Sequence, residues 1–377
     1  MEKLILVLSH EFPPLGGGAG RNLLGVCDEL AKQGVKLCVW TLASPERRTQ
    51  KHGFSIKEFS TTRVKRFQTS IASMFNFIVR VLFAGLFARR DRPVIVFSNM
   101  AIPAGIAGSV LSARYKVPHV IWHHGSDVHG GKPGGPSGIQ RMILRKVWRS
   151  SSLCLFISRS LKQCAERIGA VPRADVLPVA LAIPNSKRLK TSVTKKTFLF
   201  AGRMEPVKNP LLFVEAVRLF ACRGGRPDVE FVLVGSGRLS GRVEDAIMSG
   251  VGLSSLLSLR SEVPQEELFT LFETCYAYVM PSRAEGFPTT VIEAAMFGVP
   301  SIGSKTLGIE ECILDGKTGL LFSEGDALSL CRAMESLAMD TDLQKRLGEG
   351  ARSNAQLYTA EKTAEKFLSC ITPLFDK

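Results

Sequence analysis

Short apolar runs alternate along this chain with stretches whose apolar residues recur at helical spacing. Residues 3–9 predict a buried strand, 19–33 a helix and 35–41 a second strand. A strand at 94–97, a helix at 102–114, a strand at 119–122, a basic helix at 138–150 and a strand at 153–157 follow. The pattern then restarts. Strands are predicted at 197–200, 230–234 and 276–280, helices at 209–222, 265–275 and 289–298, and residues 326–374 read as helical. Strands alternating with helices imply βαβ units and parallel sheets, so the fold class is α/β with two doubly wound, Rossmann-like halves. The predicted boundaries are 1–184 for the first domain, 185–196 for a polar, basic linker and 197–377 for the second, with the last helix free to pack back on the first domain.

Residues 71–88 stand apart. Their length is near the lower limit for a membrane span, but Arg80 sits mid-segment and Ser73 and Asn76 interrupt it. Arg63, Lys65 and Arg66 precede the segment, and Arg89, Arg90 and Arg92 follow it. The next strand belongs to the same sheet, and a spanning helix would split that sheet across the membrane. Two readings remain: an interfacial or partly buried helix with basic flanks, or a fully buried crossover helix.

The composition, 45% hydrophobic and 22% charged over 377 residues, excludes a disordered, collagen-like or coiled-coil chain. Nine scattered cysteines without a CxxC pair indicate neither a zinc ribbon nor a disulfide framework, and a reducing compartment fits. The apolar run at the start is short and enters a Pro/Gly loop, unlike a signal peptide. Charge changes the picture more. Residues 1–190 hold 29 Lys and Arg against 10 Asp and Glu (29 − 10 = +19), and residues 191–377 hold 20 against 24 (20 − 24 = −4). A basic first half points to an anionic partner: phospholipid, lipid diphosphate or nucleic acid.

Four stretches carry candidate chemistry. Pro13 to Gly20, with Gly16, Gly17 and Gly18, lies between a strand and a helix, where bare backbone and a helix N-terminus accommodate an anion. The third glycine of a dinucleotide fingerprint is missing there. His123, His124, Gly125, Ser126 and Asp127 follow a strand, where parallel sheets bind ligands; adjacent histidines project differently, so hydrogen bonding fits better than metal binding. Gly202 to Pro210 places Arg203 and Lys208 where a diphosphate would rest. Glu285 falls in a Gly/Pro loop and Glu293 in an otherwise apolar helix, where a carboxylate needs a partner such as a pair of sugar hydroxyls.

The Glu285–Glu293 pair resembles the E-x7-E signature of retaining glycosyltransferases of family GT4, which have the GT-B fold. Gly202, Arg203, Met204 and Lys208 resemble that family's G-R-[LM]-x3-K element, Gly16 to Gly18 its N-terminal glycine loop, and His124 to Asp127 its His segment. Val234, Gly235, Ser236 and Gly237 look like its V-G-x-G turn. The ordered set, spread over nearly the whole chain, carries the resemblance.

The resemblance implies two Rossmann-like domains facing across a cleft, the second binding a UDP-sugar or GDP-mannose and the first an acceptor. Glu293 would hold the ribose hydroxyls and Glu285 the sugar; Gly286, Phe287 and Pro288 would line the pocket with backbone. Arg203 and Lys208 would hold the diphosphate, with Gly17, Gly18 and Gly235 close by and Thr290 near a phosphate. His124 would stand at the reacting centre, and Asp127, Arg63, Lys65, Arg66, Arg89 and Arg90 on the acceptor and membrane side. The product would keep the anomeric configuration through same-face attack. The implied acceptor is a glycan or a polyprenyl-diphosphate-linked lipid of bacterial surface polysaccharide or glycolipid synthesis, met at the inner face of the cytoplasmic membrane. No nucleic acid, cofactor or metal is implied. The one DxD, Asp340–Asp342, reads as a helix cap. The family's Asn-Gly-Val-Asp is replaced by Ile183, Pro184, Asn185, Ser186 and Lys187, which receive no role. Two rivals differ in class. A nicotinamide-dependent oxidoreductase would use Gly235 to Gly241, but no clear helix is predicted there. A non-catalytic basic module would bind membrane or nucleic acid, yet no aromatic-basic RNA signature or helix-turn-helix is present.

Overall fold

In a computed structural model, residues 3–44, 52–60, 70–87, 92–129, 135–181 and 195–375 are described. The chain divides into two compact units, Met1–Ala182 with Tyr358–Lys377, and Ile183–Leu357. Arg63, Lys65, Arg66, Arg89 and Arg90, most of the predicted linker and the segment 183–187 lie outside the described residues.

The first unit is built on seven strands: β1 (Leu4–Leu8), β2 (Lys36–Leu42), β3 (Ser55–Phe59), β4 (Ile95–Asn99), β5 (His119–His123), β6 (Leu153–Phe156) and β7 (Ala174–Val176). Their order is β3-β2-β1-β4-β5-β6-β7, with every neighbouring pair parallel. Strands β1, β4, β5 and β6 are buried along their whole length. That is why they read as continuous apolar runs rather than alternating ones. The order reverses between β1 and β4, which opens a crevice at their carboxyl ends.

The C-terminal helix Ala360–Ile371 belongs to this first unit. Phe367 packs 4.6 Å from Phe97 of β4, and Thr363 Oγ1 donates to the Val179 carbonyl at 3.0 Å. The Ala360 N–H donates to the Leu181 carbonyl and the Leu181 N–H to the Tyr358 carbonyl, each at 3.0 Å. A small Gly25 on the helix Gly18–Lys32 lets the Ala360 side chain come close.

The second unit carries β8 (Lys196–Ala201), β9 (Val229–Val234), β10 (Leu257–Arg260), β11 (Ala277–Met280), β12 (Ser301–Ser304) and β13 (Gly319–Phe322). The order is β10-β9-β8-β11-β12-β13, again all parallel. Its core centres on Phe198, Phe200, Phe213 and Phe231, with ring centroids 5.5 to 6.0 Å apart in successive contacts. Here the reversal falls between β8 and β11.

Two local readings change. A helix, Ser240–Met248, does follow Gly235 to Gly237, opened by Ser240 Oγ accepting from the Gly237 N–H at 3.0 Å. The helix expected over 102–114 begins with a wide turn at Ala101–Gly105 and becomes regular at Ile106–Tyr115, because Ile102 is extended and Pro103 lacks an N–H.

Candidate functional site

In the first unit three loops meet at the carboxyl ends of β1, β4 and β5. The loop after β1 turns at Gly16, whose φ of +90° suits only glycine; a Cβ there would stand 2.6 Å from the Glu11 Cβ. Gly17 caps the helix that Gly18 starts, and a Cβ at Gly17 would meet nothing within 4 Å. The backbone is therefore open on that side, at a helix N-terminus with no acidic residue in its first turn.

Asn99, the last residue of β4, ties this loop to the histidine loop. Its Nδ2 donates to Ser9 Oγ at 3.0 Å, and its Oδ1 lies 2.7 Å from His124 Nε2. Since Asn99 Oδ1 accepts, His124 carries its proton on Nε2, and Nδ1 holds the lone pair. That Nδ1 is buried and has no hydrogen-bond partner among the described residues. Burial, ahead of any neighbouring charge, pushes the His124 pKa down to about 4, so the ring is neutral at pH 7.

Asp127 sits beneath, almost fully buried, and its carboxylate is used by the chain itself. Oδ2 accepts from His123 Nδ1 at 2.7 Å and the Ala101 N–H at 3.0 Å. Oδ1 accepts from the N–H groups of His124 at 3.3 Å and Gly125 at 3.2 Å. Burial opposes the anion, but the hydrogen bonds from His123 and the Ala101 N–H outweigh it and hold the carboxyl below its ordinary value. Asp127 alone would favour an imidazolium at His123. Trp148 Nε1 donates to His123 Nε2 at 3.1 Å, however, and a second N–H there would face it head-on. His123 is therefore neutral, protonated on Nδ1. Asp127 braces the loop that carries His124 and has no lone pair left for an acceptor substrate.

In the second unit the two glycine motifs, separate in sequence, zip together. The Gly202 N–H donates to the Val234 carbonyl at 3.0 Å, the Met204 N–H to Ser236 at 2.8 Å and the Leu239 N–H to Met204 at 2.8 Å. A Cβ at Gly235, whose φ is +144°, would lie 1.9 Å from the Gly202 carbonyl oxygen. This close approach leaves Arg203 exposed at the carboxyl end of β8.

The loop after β11 comes to the same end. The Arg283 N–H donates to the Val207 carbonyl at 2.8 Å, and Lys208 Nζ meets Glu285 Oε1 at 2.6 Å, with both side chains largely covered. Gly308, at φ +88°, backs the Glu285 and Gly286 carbonyls at a distance no side chain allows. Phe287 and Pro288 are buried as this loop enters the helix Thr289–Met296. Thr290 Oγ1 lies 3.0 Å from the Tyr278 hydroxyl, which also bonds the Ala201 carbonyl at 2.9 Å. Glu293 is only 4% exposed, and its Oε1 accepts from Gln265 Nε2 at 3.4 Å. The unit thus gathers two cations, two carboxylates and a helix N-terminus at adjacent strand ends.

Sequence reasoning passed over Asn99, Ser9, His123 as a brace, Trp148, Tyr278 and Gln265. Only Asn99 left a trace: a polar Ser98-Asn99 step closing an apolar strand. Among the described residues no three His, Cys, Asp or Glu side chains are grouped so as to hold a metal ion.

Two Rossmann-like units with these loops define a class, the GT-B glycosyltransferases. Residues 17–182 match the family described as glycosyl transferase 4-like domain, and residues 184–354 match glycosyl transferases group 1. The two matches cover all but one position between 17 and 354, and the chain belongs to the group 1 glycosyltransferases of the GT4 type. It is 27% identical to the D-inositol 3-phosphate glycosyltransferase of Paenarthrobacter aurescens over 280 residues, 69% of this chain and 68% of that one. Its fold superimposes on sucrose-phosphate synthase of Thermosynechococcus elongatus with a TM-score of 0.83, at 18% identity over 99% of both chains. It also superimposes on Anabaena Alr3699/HepE, solved with UDP and glucose, with a TM-score of 0.79, at 17% identity over 99% of this chain and all of that one.

Proposed function

We propose that this glycosyltransferase moves a hexose from a nucleotide diphosphate sugar, a UDP-sugar or GDP-mannose, to a hydroxyl of a glycan or lipid-linked acceptor. The carrying observation is the convergence of Lys208, Glu285 and buried Glu293 at the carboxyl ends of β8 and β11. Glu293 accepts the ribose hydroxyls, a role for an anion that an apolar helix would otherwise exclude. Lys208 and Arg203 take the diphosphate. Their charge counts most as the glycosidic bond breaks and negative charge grows on the leaving oxygen. Glu285 keeps Lys208 in place and offers its second oxygen to the sugar. Neutral His124 stands at the reacting centre. The reading is same-face attack with retention, independent of metal. With a lipid-linked acceptor the enzyme works at the inner face of the cytoplasmic membrane, in surface polysaccharide or glycolipid synthesis. Among the described residues no helix is long and apolar enough to cross a membrane.

Thermal unfolding with UDP, GDP, ADP and their sugars tests the donor site. A ligand at about 100 times its dissociation constant adds about 2.7 kcal/mol, or roughly 5 °C or more for a domain of this size. The shift is expected with one nucleotide and is lost in Glu293→Ala. A shift that survives Glu293→Ala would place the nucleotide elsewhere.

A further inference from the structure

The helix Ile71–Phe87 buries one side and leaves the other bare. Ser73, Phe77, Val81 and Gly85 face inward, with Phe77 and Val81 in the core formed by Leu6, Leu8, Trp40 and Val96. Gly85 lies so close to Leu111 that a Cβ would collide with its side chain, and its carbonyl accepts from the Tyr115 hydroxyl at 3.0 Å. The helix is thus fixed to its sheet. Outward point Ile71, Phe75, Val79, Phe83, Leu86 and Phe87, each between 47% and 87% exposed. At about 100° per residue they sweep roughly half the circumference. Phe83 and Phe87 meet each other with their rings tilted and centroids 4.9 Å apart.

We infer that this face is the membrane-docking surface of the enzyme, with an anionic lipid bilayer as its occupant. The partner follows from three observations. First, the exposed arc carries one charged side chain, Arg80, whose Nε is already bonded to Asn76 Oδ1 at 3.0 Å. A protein partner needs roughly one hydrogen bond per 100–200 Å² of interface; this arc has almost nothing to give, while acyl chains ask for nothing. Second, the stretch of sequence that carries the helix is basic: residues 58–92 contain seven Lys and Arg against two acids, Glu58 and Asp91. Exposed Arg114 caps the end of the helix, donating to the Leu86 carbonyl at 3.1 Å. Anionic headgroups complement that net charge, and a second copy of the same basic stretch is disfavoured. Third, a helix of 17 residues, about 26 Å long, whose inner side is locked in a soluble core cannot turn to span. It lies flat, with its outer side chains at the depth of the headgroup–acyl boundary. This gives the proposed lipid-linked acceptor a place to be met, and to that extent it rests on that reading; the binding itself is read without turnover.

The test is flotation of the full-length protein with phosphatidylcholine vesicles and with vesicles containing about one third phosphatidylglycerol. We expect binding to the anionic vesicles alone, weakened by salt, and lowered at least about tenfold in Phe75→Ser/Phe83→Ser. Both side chains are exposed, so the variant keeps the wild-type melting midpoint and its nucleotide-induced shift. Those two readouts separate a failure of docking from a failure of the donor site. In Phe83→Trp, fluorescence shifts to the blue and is quenched by brominated lipid. Undiminished binding by the double variant overturns the inference, as does equal binding to neutral vesicles. So does a wild-type dimer in sedimentation velocity that the double substitution dissolves, since a second copy would then cover the face.

Discussion

Replacing Asp127 with asparagine tests whether this carboxylate braces the histidine loop. Each Asp127 oxygen faces two donors, at 2.7 and 3.0 Å and at 3.2 and 3.3 Å. Whichever way the amide is turned, its NH2 confronts two buried N–H groups. His123 cannot relieve the clash by shifting its proton, because Trp148 occupies Nε2. At roughly 1–3 kcal/mol for each donor left unsatisfied, Asp127→Asn should cost about 2–5 kcal/mol at neutral pH. The pH dependence gives a second readout. The donors around Asp127 hold its carboxyl below the ordinary value of 3.8. Because the folded value is depressed, this stability is present above the ordinary value and is lost as pH falls through the folded one. The gap between wild type and Asp127→Asn should therefore narrow from pH 6 to pH 3. Urea unfolding followed by tryptophan emission suits the measurement, because Trp40, Trp122 and Trp148, the only tryptophans of the chain, all lie in the first unit. A gap that stays constant over that range, or a variant as stable as wild type at pH 6, refutes the bracing role.

Two further outcomes follow from the loops. Gly235→Ala, which forces a Cβ onto the Gly202 carbonyl at an unfavourable φ, should destabilise the second unit by about 3 kcal/mol or more in calorimetry and leave the tryptophan transition of the first unit unmoved. Asn99→Ala removes the group that fixes the His124 proton on Nε2; turnover should fall roughly tenfold or more while the nucleotide-induced thermal shift is kept, and an unchanged kcat would argue against a role for the His124 tautomer.

Much was legible in the chain itself. A parallel sheet covered on both faces writes its strands as unbroken apolar runs, so β1, β5, β6, β8, β9 and β11 could be read directly. Short strands such as Ser55–Phe59, with polar and exposed residues, and Ser301–Ser304, with Gly303 in its centre, carry no such run. Glycines, Arg203, Lys208, Glu285 and Glu293 stood out because their types are costly or unusual where the pattern placed them.

Pairing was not legible, because it is a property of strand order. Lys208 meets Glu285 only because β8 and β11 are neighbours, and Gly235 meets Gly202 only because β9 lies on the other side of β8. Nor does sequence spacing say which lone pairs are already used. Asp127 looked available to a substrate until the fold placed four donors around it, and His124 gained its tautomer from Asn99, 25 residues away. The same holds for residues 71–88. The sequence established an apolar helix with basic flanks, since composition alone sets that. Which half of it the core takes, and which it leaves bare, was decided by packing against Leu111, Tyr115 and the sheet, because burial belongs to the assembled fold and not to any one segment.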